Sequence, residues 1–289
     1  MPSLKDIKSE INQVNSLNEL TQVYGEIASS RMKKIRGYVL RNREFLESIE
    51  SIFNDSLNAY SQKLAKKVRE GKLKEGGNVT FLAHNGKTVA AIITANTGFF
   101  GEVIKDTFKV FAEDIKDDNL EVTIIGKVGK GLFSSMFPGK PFAYFELPDY
   151  GVDREKLEEV IKHLVQYEEI RIYYGKFQSV VTQKPEKRSI RAGTQVRSES
   201  NAPKVDYIFE PTIEDILMFF ETQIFASLFD QSLRESQLAK FASRILAMDR
   251  ARQNIEKKVH ELNLTKLSLA HKLTNTKQLN SMGPIVFKV

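Results

Sequence analysis

The chain has 289 residues, among them 43 lysines and arginines, 37 acidic residues and no cysteine, and its formal net charge is +6. The lack of cysteine excludes a disulfide framework and a thiolate zinc site. No apolar run reaches the about 18 residues that suggest a membrane-spanning helix. The first residues lack the regions of a secretory signal peptide, so we expect the protein to stay in the compartment where it is made.

The N-terminal segment, residues 3–66, predicts one long helix. It contains no proline and only two glycines, Gly25 and Gly37, so no residue forces a break. At ~1.5 Å per residue such a helix is on the order of 95 Å long, several times the width of a compact domain. Apolar residues recur at spacings of three and four, which places them on one helix face. They are Leu4, Ile7, Ile11, Val14, Leu17, Leu20, Tyr24, Ile27, Met32, Ile35 and Tyr38.

A basic segment lies partway along this helix. Arg31, Lys33, Lys34 and Arg36 follow one another closely, whereas charges of both signs are interspersed elsewhere along the helix. Mixed charge is typical of a solvated helix face, and a local excess of one sign attracts partners of the opposite sign. The segment is therefore either a solvated patch or a docking surface for an acidic partner.

The middle of the chain alternates between strand and helix patterns, which indicates a parallel sheet of the doubly wound α/β type. Short β-branched runs predict the strands, and amphipathic segments between them predict the helices. The predicted strands are 88–94, 122–125, 143–146 and the strand pair 170–182, and the predicted helices are about 100–116, a short one ending near residue 137, and about 153–166.

A charged stretch follows the last of these strands. Residues 184–203 are rich in Lys, Arg, Ser and Glu and include Gly193. This composition predicts a mobile loop, and a strand is expected after it at 205–209. The α/β domain then covers residues 71–209, between helical domains at 1–70 and 210–289.

The C-terminal segment, residues 212–282, predicts a second long helix. Glu214 and Asp215 in its first turn suit the positive end of the helix dipole. Apolar residues recur at helical spacing, and no glycine or proline interrupts the run before Gly283. A periodic run of this length without internal caps is typical of a coiled coil. We therefore predict a long antiparallel coiled coil of the N- and C-terminal helices with an inserted Rossmann-like α/β domain.

The glycine-containing stretches of the middle do not match a nucleotide site. Residues 126–131 lack the spacing and the terminal Lys-Ser/Thr pair of a phosphate loop. Residues 98–101 carry two phenylalanines where the pyrophosphate of a dinucleotide must approach the backbone. The four histidines have no ligand spacing, and no Ser/His/Asp order is evident. We therefore predict no catalytic residue, no cofactor-binding residue and no metal site.

Two other classes of protein remain open on the residues alone. A coiled-coil tether or nucleic-acid adaptor would account for the basic excess, but it predicts a concentrated basic stripe with aromatic platforms. A small α/β enzyme with helical arms predicts polar residues that converge at the carboxyl ends of the middle strands. Asn96, Thr97 and Gly98 offer little of that chemistry.

The architecture and several local stretches together resemble the gamma subunit of F-type ATP synthases. The resemblance covers essentially the whole chain, and its most specific part lies near the C-terminus. The stretches that carry it, in this order and spacing, are 3–8, 20–22, 28–34, 93–101, 174–177, 183–185, 207–211, 236–239 and 244–254.

This resemblance implies a central rotor stalk inside a hexamer of alpha and beta subunits, whose nucleotide sites lie outside the stalk. Arg31, Lys33, Lys34 and Arg36 match the basic stretch of the family that faces acidic loops of the catalytic subunits, and Arg244 matches an arginine that faces another such loop. The α/β domain would meet the epsilon subunit and the c-ring. The resemblance thus implies a non-catalytic subunit without nucleic-acid partners, held peripherally at the cytoplasmic face of the cell membrane.

The chain departs from the family pattern at two candidate contact sites. Asn96, Thr97 and Gly98 stand where the family carries a turn with arginine and cysteine. Leu269 and Leu273 stand where polar residues of the family reach the hexamer. We retain all five as candidate partner contacts. The departures leave open the rotor of a divergent motor that is not used for ATP synthesis, beside a rotor that couples proton transport to ATP synthesis.

Overall fold

The computed structural model describes residues 3–69, 78–79, 85–117, 120–191, 194–195 and 213–286. Contacts divide the chain into two compact units. The first unit combines the residues up to Ser30 with those from Arg244 onward, and the second runs from Arg31 to Ser243. Two long helices, α1 (Leu4–Arg69) and α5 (Ile213–Val286), contribute to both units.

The first unit is a pair of antiparallel helical segments. Early residues of α1 lie opposite late residues of α5, since the Lys258 ammonium is 3.8 Å from the Glu10 carboxylate. Further along α1, a Cβ at Gly25 would lie 3.8 Å from the Cβ of Met248, which comes earlier in α5. Ile7 is buried in this unit. The antiparallel pairing of the N- and C-terminal helices is therefore confirmed.

The second unit contains a five-stranded sheet with the strand order β4-β3-β2-β5-β6. Strands β2 to β5 run parallel to their neighbours, whereas β6 runs antiparallel to β5. A separate pair, β1 and β7, forms a small antiparallel sheet. The strands are β1 (Asn78–Val79), β2 (Thr88–Ile93), β3 (Glu121–Ile125), β4 (Ala143–Phe145), β5 (Glu169–Phe177), β6 (Gln183–Arg191) and β7 (Thr194–Gln195).

Helices cover both faces of the larger sheet. Helices α2 (Val103–Asp117) and α3 (Lys127–Met136) pack on one face, and α4 (Arg154–Leu164) packs on the other together with the first part of α5. Successive residues of β2 alternate between the two hydrophobic clusters, as the period of a strand requires. Strands buried on both faces read as continuous apolar runs, which is why the sequence predicts the doubly wound arrangement.

The structure corrects the sequence-based prediction between residues 178 and 191. Residues 178–182, expected as strand, form the turn between β5 and β6, because the Ser179 hydroxyl accepts hydrogen bonds from the N–H groups of Val181 and Thr182. Residues 184–191, expected as loop, lie in β6. This strand is an edge of the sheet, where lysine and proline are tolerated and oppose aggregation. Thr194 and Gln195 of the predicted loop form β7, and its remaining residues and the strand at 205–209 fall outside the described residues.

His163 makes stability depend on pH. Its Nε2 lies 3.0 Å from the Thr123 hydroxyl, and its ring packs against Phe145 and Tyr167. Burial lowers the pKa of His163 below its usual 6.5, although the nearby Glu121 carboxylate opposes this effect. The unfolded chain therefore binds more protons below pH 6.5, and the free energy of unfolding should fall as the pH falls through that range.

Substitution of this histidine tests the assignment. His163→Gln should flatten the pH dependence of the free energy of unfolding below pH 6.5, measured by urea denaturation at several pH values. His271→Gln, at an exposed position of α5, is the matched control and should leave the dependence unchanged. Parallel curves for wild type and His163→Gln would contradict the assignment.

Candidate functional site

One carboxylate holds the loop that follows β2. Asp149 accepts hydrogen bonds from the backbone N–H groups of Asn96 and Thr97, each at 3.0 Å, and from the Thr97 hydroxyl at 2.8 Å. The Asn96 amide donates to the backbone oxygen of Leu147 at 2.6 Å and accepts from the N–H of Lys127 at 3.1 Å. The end of β2, the segment after β4 and the start of α3 are therefore joined at the carboxyl edge of the sheet.

Helix α5 crosses the same edge and is bonded to it. The Lys240 ammonium donates to the backbone oxygen of Thr94 at 2.9 Å and lies 3.4 Å from the Asp149 carboxylate. The side chains of Lys240 and Asp149 are 4% and 12% exposed, so water barely reaches this ion pair. One turn earlier, the Gln237 amide donates to the backbone oxygen of Gly151 at 2.9 Å.

Gly101 allows the close approach of α5. A Cβ at Gly101 would lie 2.3 Å from the Ser243 hydroxyl, and the φ of 63° at Gly101 is in the left-handed region that favours glycine. Gly175, in β5, instead allows a close approach of α2, since a Cβ there would lie 2.7 Å from the Val103 Cγ2 but at an ordinary contact distance of 3.5 Å from the Cβ of Ala239 in α5. The α5 helix therefore lies directly against the ends of β2 and β5.

The carboxyl edge is where open α/β sheets usually bind ligands. Here residues 237–243 of α5 occupy the space above β2 and β5. An open groove of about 450 Å³ remains beside this contact and is bordered by Asn96, Glu146, Tyr150 and Lys156. Among the residues that the structure describes, no cluster of His, Asp and Glu could hold a metal ion. The arrangement can fix a helix on a sheet.

The family model described as ATP synthase matches residues 3–267, which is most of the chain. This chain belongs to the ATP synthase family. Relatives named ATP synthase gamma chain match it over nearly their whole length. The relative from Pelotomaculum thermopropionicum is 23% identical over 98% of this chain and 97% of its own. The relative from Mycoplasma mycoides is 26% identical over 91% of both chains. The resemblance to gamma subunits is therefore confirmed.

Solved structures of ATP synthases share the fold. A chain from the rotor of the Euglena gracilis mitochondrial ATP synthase matches with a TM-score of 0.61 and 13% identity, over 94% of this chain and 98% of that one. A chain from the central stalk and c-ring structure of the Tetrahymena thermophila mitochondrial ATP synthase matches with a TM-score of 0.57 and 18% identity, over 80% and 99%. The predicted fold class is confirmed.

Three of the candidate contact residues, Asn96, Thr97 and Gly98, lie together at the carboxyl edge of the sheet. Asn96 is partly buried by its bonds to neighbouring loops, whereas Thr97 and Gly98 are exposed. The next residue, Phe99, which in the sequence served only as an argument against a nucleotide site, is 69% exposed and has a φ of 64°. The left-handed region is uncommon for a bulky residue. The exposure and the backbone conformation of Phe99 together mark it as a further candidate contact residue, and neither can be read from the sequence.

The basic segment does not form one surface. Lys33, Lys34 and Arg36 are exposed, whereas Arg31 is partly buried. The guanidinium carbon of Arg31 lies 4.9 Å from the ring centre of Tyr150 and 5.8 Å from that of Phe241, which is cation–π geometry. Arg31 thus ties α1 to other parts of the second unit, and the other three cations face solvent.

The remaining candidate contacts belong to the first unit. Arg244 is only 5% exposed, and its guanidinium carbon lies 6.0 Å from the ring centre of Tyr24. Leu273 is exposed and Leu269 is partly buried. Arg244 therefore contacts its own chain, and Leu273 is accessible to a partner. The partner contacts of these residues stay predictions.

Sequence reasoning missed Lys240 and Asp149, although α5 carries a signal for the lysine. Lys240 stands within the apolar stretch 238–242, and a buried cation needs a counter-charge. Its carboxylate partner is 91 residues earlier in the chain, so only the structure identifies it. Several other polar residues in this part of α5 are also buried. They are Ser232, Glu235, Ser236, Gln237 and Ser243.

The close approach of α5 predicts a large effect at one glycine. Gly101→Ala adds a Cβ that overlaps Ser243 and adopts an unfavourable left-handed conformation, so the free energy of unfolding should fall by about 2–5 kcal/mol. Gly98→Ala is the control, because a Cβ there meets no atom within 4 Å. Thermal unfolding measures both variants, and equal melting temperatures would contradict the close approach.

Proposed function

We propose that this chain is the central rotor stalk of an F1-type rotary ATPase. In this role, rotation of the chain changes the affinities of the nucleotide sites, one after another, in a surrounding hexamer of alpha and beta subunits. The observation that carries the proposal is the antiparallel pairing of the terminal helices in a chain that matches gamma chains over nearly their whole length. With a proton ring attached, the same rotation would couple proton transport to ATP synthesis.

As a rotor stalk, the chain is a non-catalytic subunit of a complex. The catalytic sites are on its partner subunits, and it needs no cofactor of its own. The filling of the carboxyl edge by α5 supports this view, because Lys240 and Asp149 there bond to each other and to the backbone. The stalk can favour one conformational state of a catalytic subunit over another only to the extent that the free energy of its contacts differs between the two states.

The exposed surface of the helices offers such contacts. On α1 of the first unit, Leu17, Leu20 and Val23 are all more than half exposed. Adjacent exposed apolar residues of this kind are typical of a surface that a partner covers. Lys33, Lys34 and Arg36 provide an exposed positive charge that suits acidic loops of the catalytic subunits.

We place the complex at the cytoplasmic face of the cell membrane, held peripherally through an epsilon subunit and a c-ring. The Tetrahymena thermophila structure with the same fold contains a central stalk with a c-ring, which supports this proposal. Among the described residues, no helix has the length and apolar character needed to cross a bilayer.

The rotor of a divergent motor that does not make ATP is the second candidate. Leu273 is exposed at a position where the family pattern has a polar residue that reaches the hexamer. Exposed leucine in place of a polar group changes the chemistry of the contact from hydrogen bonding to apolar burial. This observation favours altered partners or altered coupling.

Purification of the complex from its native cells tests the rotor function. The chain carries an affinity tag, and mass spectrometry and an ATPase assay are applied to the eluate. We expect to recover alpha and beta subunits together with ATPase activity. The presence of c-ring subunits would favour a synthase and their absence a divergent motor. Recovery of neither hexamer subunit would contradict the rotor function and favour a coiled-coil tether.

Charge reversal tests the exposed basic residues. Exposed ion pairs contribute about 0.2–1 kcal/mol each, so Lys33→Glu, Lys34→Glu and Arg36→Glu together should weaken binding to the hexamer by roughly tenfold. The effect should shrink at high ionic strength because salt screens exposed charges. Reversal of Lys105, Lys109 and Lys116, which are exposed on α2, is the matched control. Equal weakening by both sets would show that net charge alone matters.

A further inference from the structure

We propose that the buried Lys240–Asp149 ion pair fixes α5 at one axial and rotational position on the sheet, and that torque passes between α5 and the α/β layers through it. The inference rests on the proposed rotor function, since a load acts between these parts only if the stalk turns. It assigns Lys240 and Asp149 as positioning residues.

Most of the contact between α5 and the sheet is apolar. Phe225, Phe229 and Leu233 are buried in one cluster with residues of β2, β5 and α4. Hydrophobic stabilisation is proportional to the buried area and has no direction. Apolar packing resists displacement without tying particular atoms to each other, and directional contacts add a restraint between particular atoms.

The ion pair joins two opposite charges, unlike the hydrogen bonds that Gln237 of α5 and Arg188 of β6 make across the same contact. A shift of α5 by one residue moves a side chain by about 1.5 Å along the axis and about 100° around it. This movement would take the Lys240 ammonium away from both the Thr94 oxygen and the Asp149 carboxylate, in a place that is almost closed to water. Separation of two buried charges is strongly unfavourable.

Asp149 extends this restraint to the sheet. The same carboxylate binds the N–H groups of Asn96 and Thr97, and Asn96 is bonded to the start of α3. Helix α5, the end of β2 and α3 are thus connected by a continuous series of bonds. A turning force on α5 reaches the α/β layers along this series.

Neutral substitutions separate this role from a role in stability alone. Lys240→Met or Asp149→Asn alone removes one charge of a buried pair and should lower the melting temperature strongly. The double variant K240M/D149N removes both charges and keeps an oxygen that can accept the N–H groups of Asn96 and Thr97. Its melting temperature should therefore be close to that of wild type.

Torque is measured on the complex of the full chain with its alpha and beta subunits. A bead is attached through a biotin-acceptor peptide inserted at Val181, which is 74% exposed in the turn between β5 and β6. We expect the K240M/D149N complex to hydrolyse ATP at the wild-type rate and to turn the bead with reduced torque. The control K87M/E121Q removes an exposed ion pair of the same sheet and should keep the wild-type torque.

A disulfide between α5 and β5 provides a rescue. Cβ atoms at positions 175 and 239 would be 3.5 Å apart, within the range of about 3.5–4.5 Å that disulfides require. The rescue variants and their reference also carry Val103→Ala, because the Val103 Cγ2 would lie 2.7 Å from a Cβ at position 175. Since the chain has no cysteine, Gly175→Cys with Ala239→Cys can form one disulfide within it. In the K240M/D149N background, the oxidised protein should recover the wild-type torque and the reduced protein should lose it.

The outcomes distinguish this inference from the proposed function. If wild type turns the bead and K240M/D149N does so with equal torque, the inference is overturned and the rotor function stands. Torque that is lost and does not return on oxidation also overturns it. If the wild-type chain does not assemble or turn the bead, the rotor function fails and the inference fails with it. If K240M/D149N folds poorly, the torque of the oxidised rescue variant is compared with that of the reduced one, and equal torque overturns the inference.

Discussion

A lysine ammonium is stable in a protein interior only beside a counter-charge, and Lys240 in α5 is 3% exposed. Asp149 supplies this counter-charge and also binds the backbone of Asn96 and Thr97. The loop after β2, the segment after β4 and the start of α3 take their positions from these bonds. Without Lys240, the Asp149 carboxylate would still be buried beside α5 but would lack its nearby cation.

At the carboxyl edge, where sheets of this type often bind ligands, this chain places a helix of its own. The edge of a doubly wound sheet is open because the helices lie on its faces. In this chain, α5 lies across the edge beside Gly101, where a Cβ would overlap the Ser243 side chain of α5. A sheet that holds a helix in this way gives the helix a fixed support, which agrees with the rotor function that we propose.

The charged residues that suggest partner binding serve two different purposes. Arg31 lies in cation–π geometry with the rings of Tyr150 and Phe241, and Arg244 is buried near Tyr24, so both contact their own chain. Positive charge at a surface is effective for partners only where solvent reaches it. Sequence position alone cannot separate these roles, because neighbouring residues of one helix point in different directions.

The sequence by itself determined the two long helices, the parallel strands and the family, because helical periodicity, buried apolar runs and local stretches are properties of neighbouring residues. It misread β6, since Lys184 and Pro185 resemble a loop until the strand is known to be an edge. The Lys240–Asp149 ion pair and the contacts of Arg31 and Arg244 within the chain came only from tertiary structure. Each depends on residues far apart in the chain, whose contact is set by packing and not by local pattern.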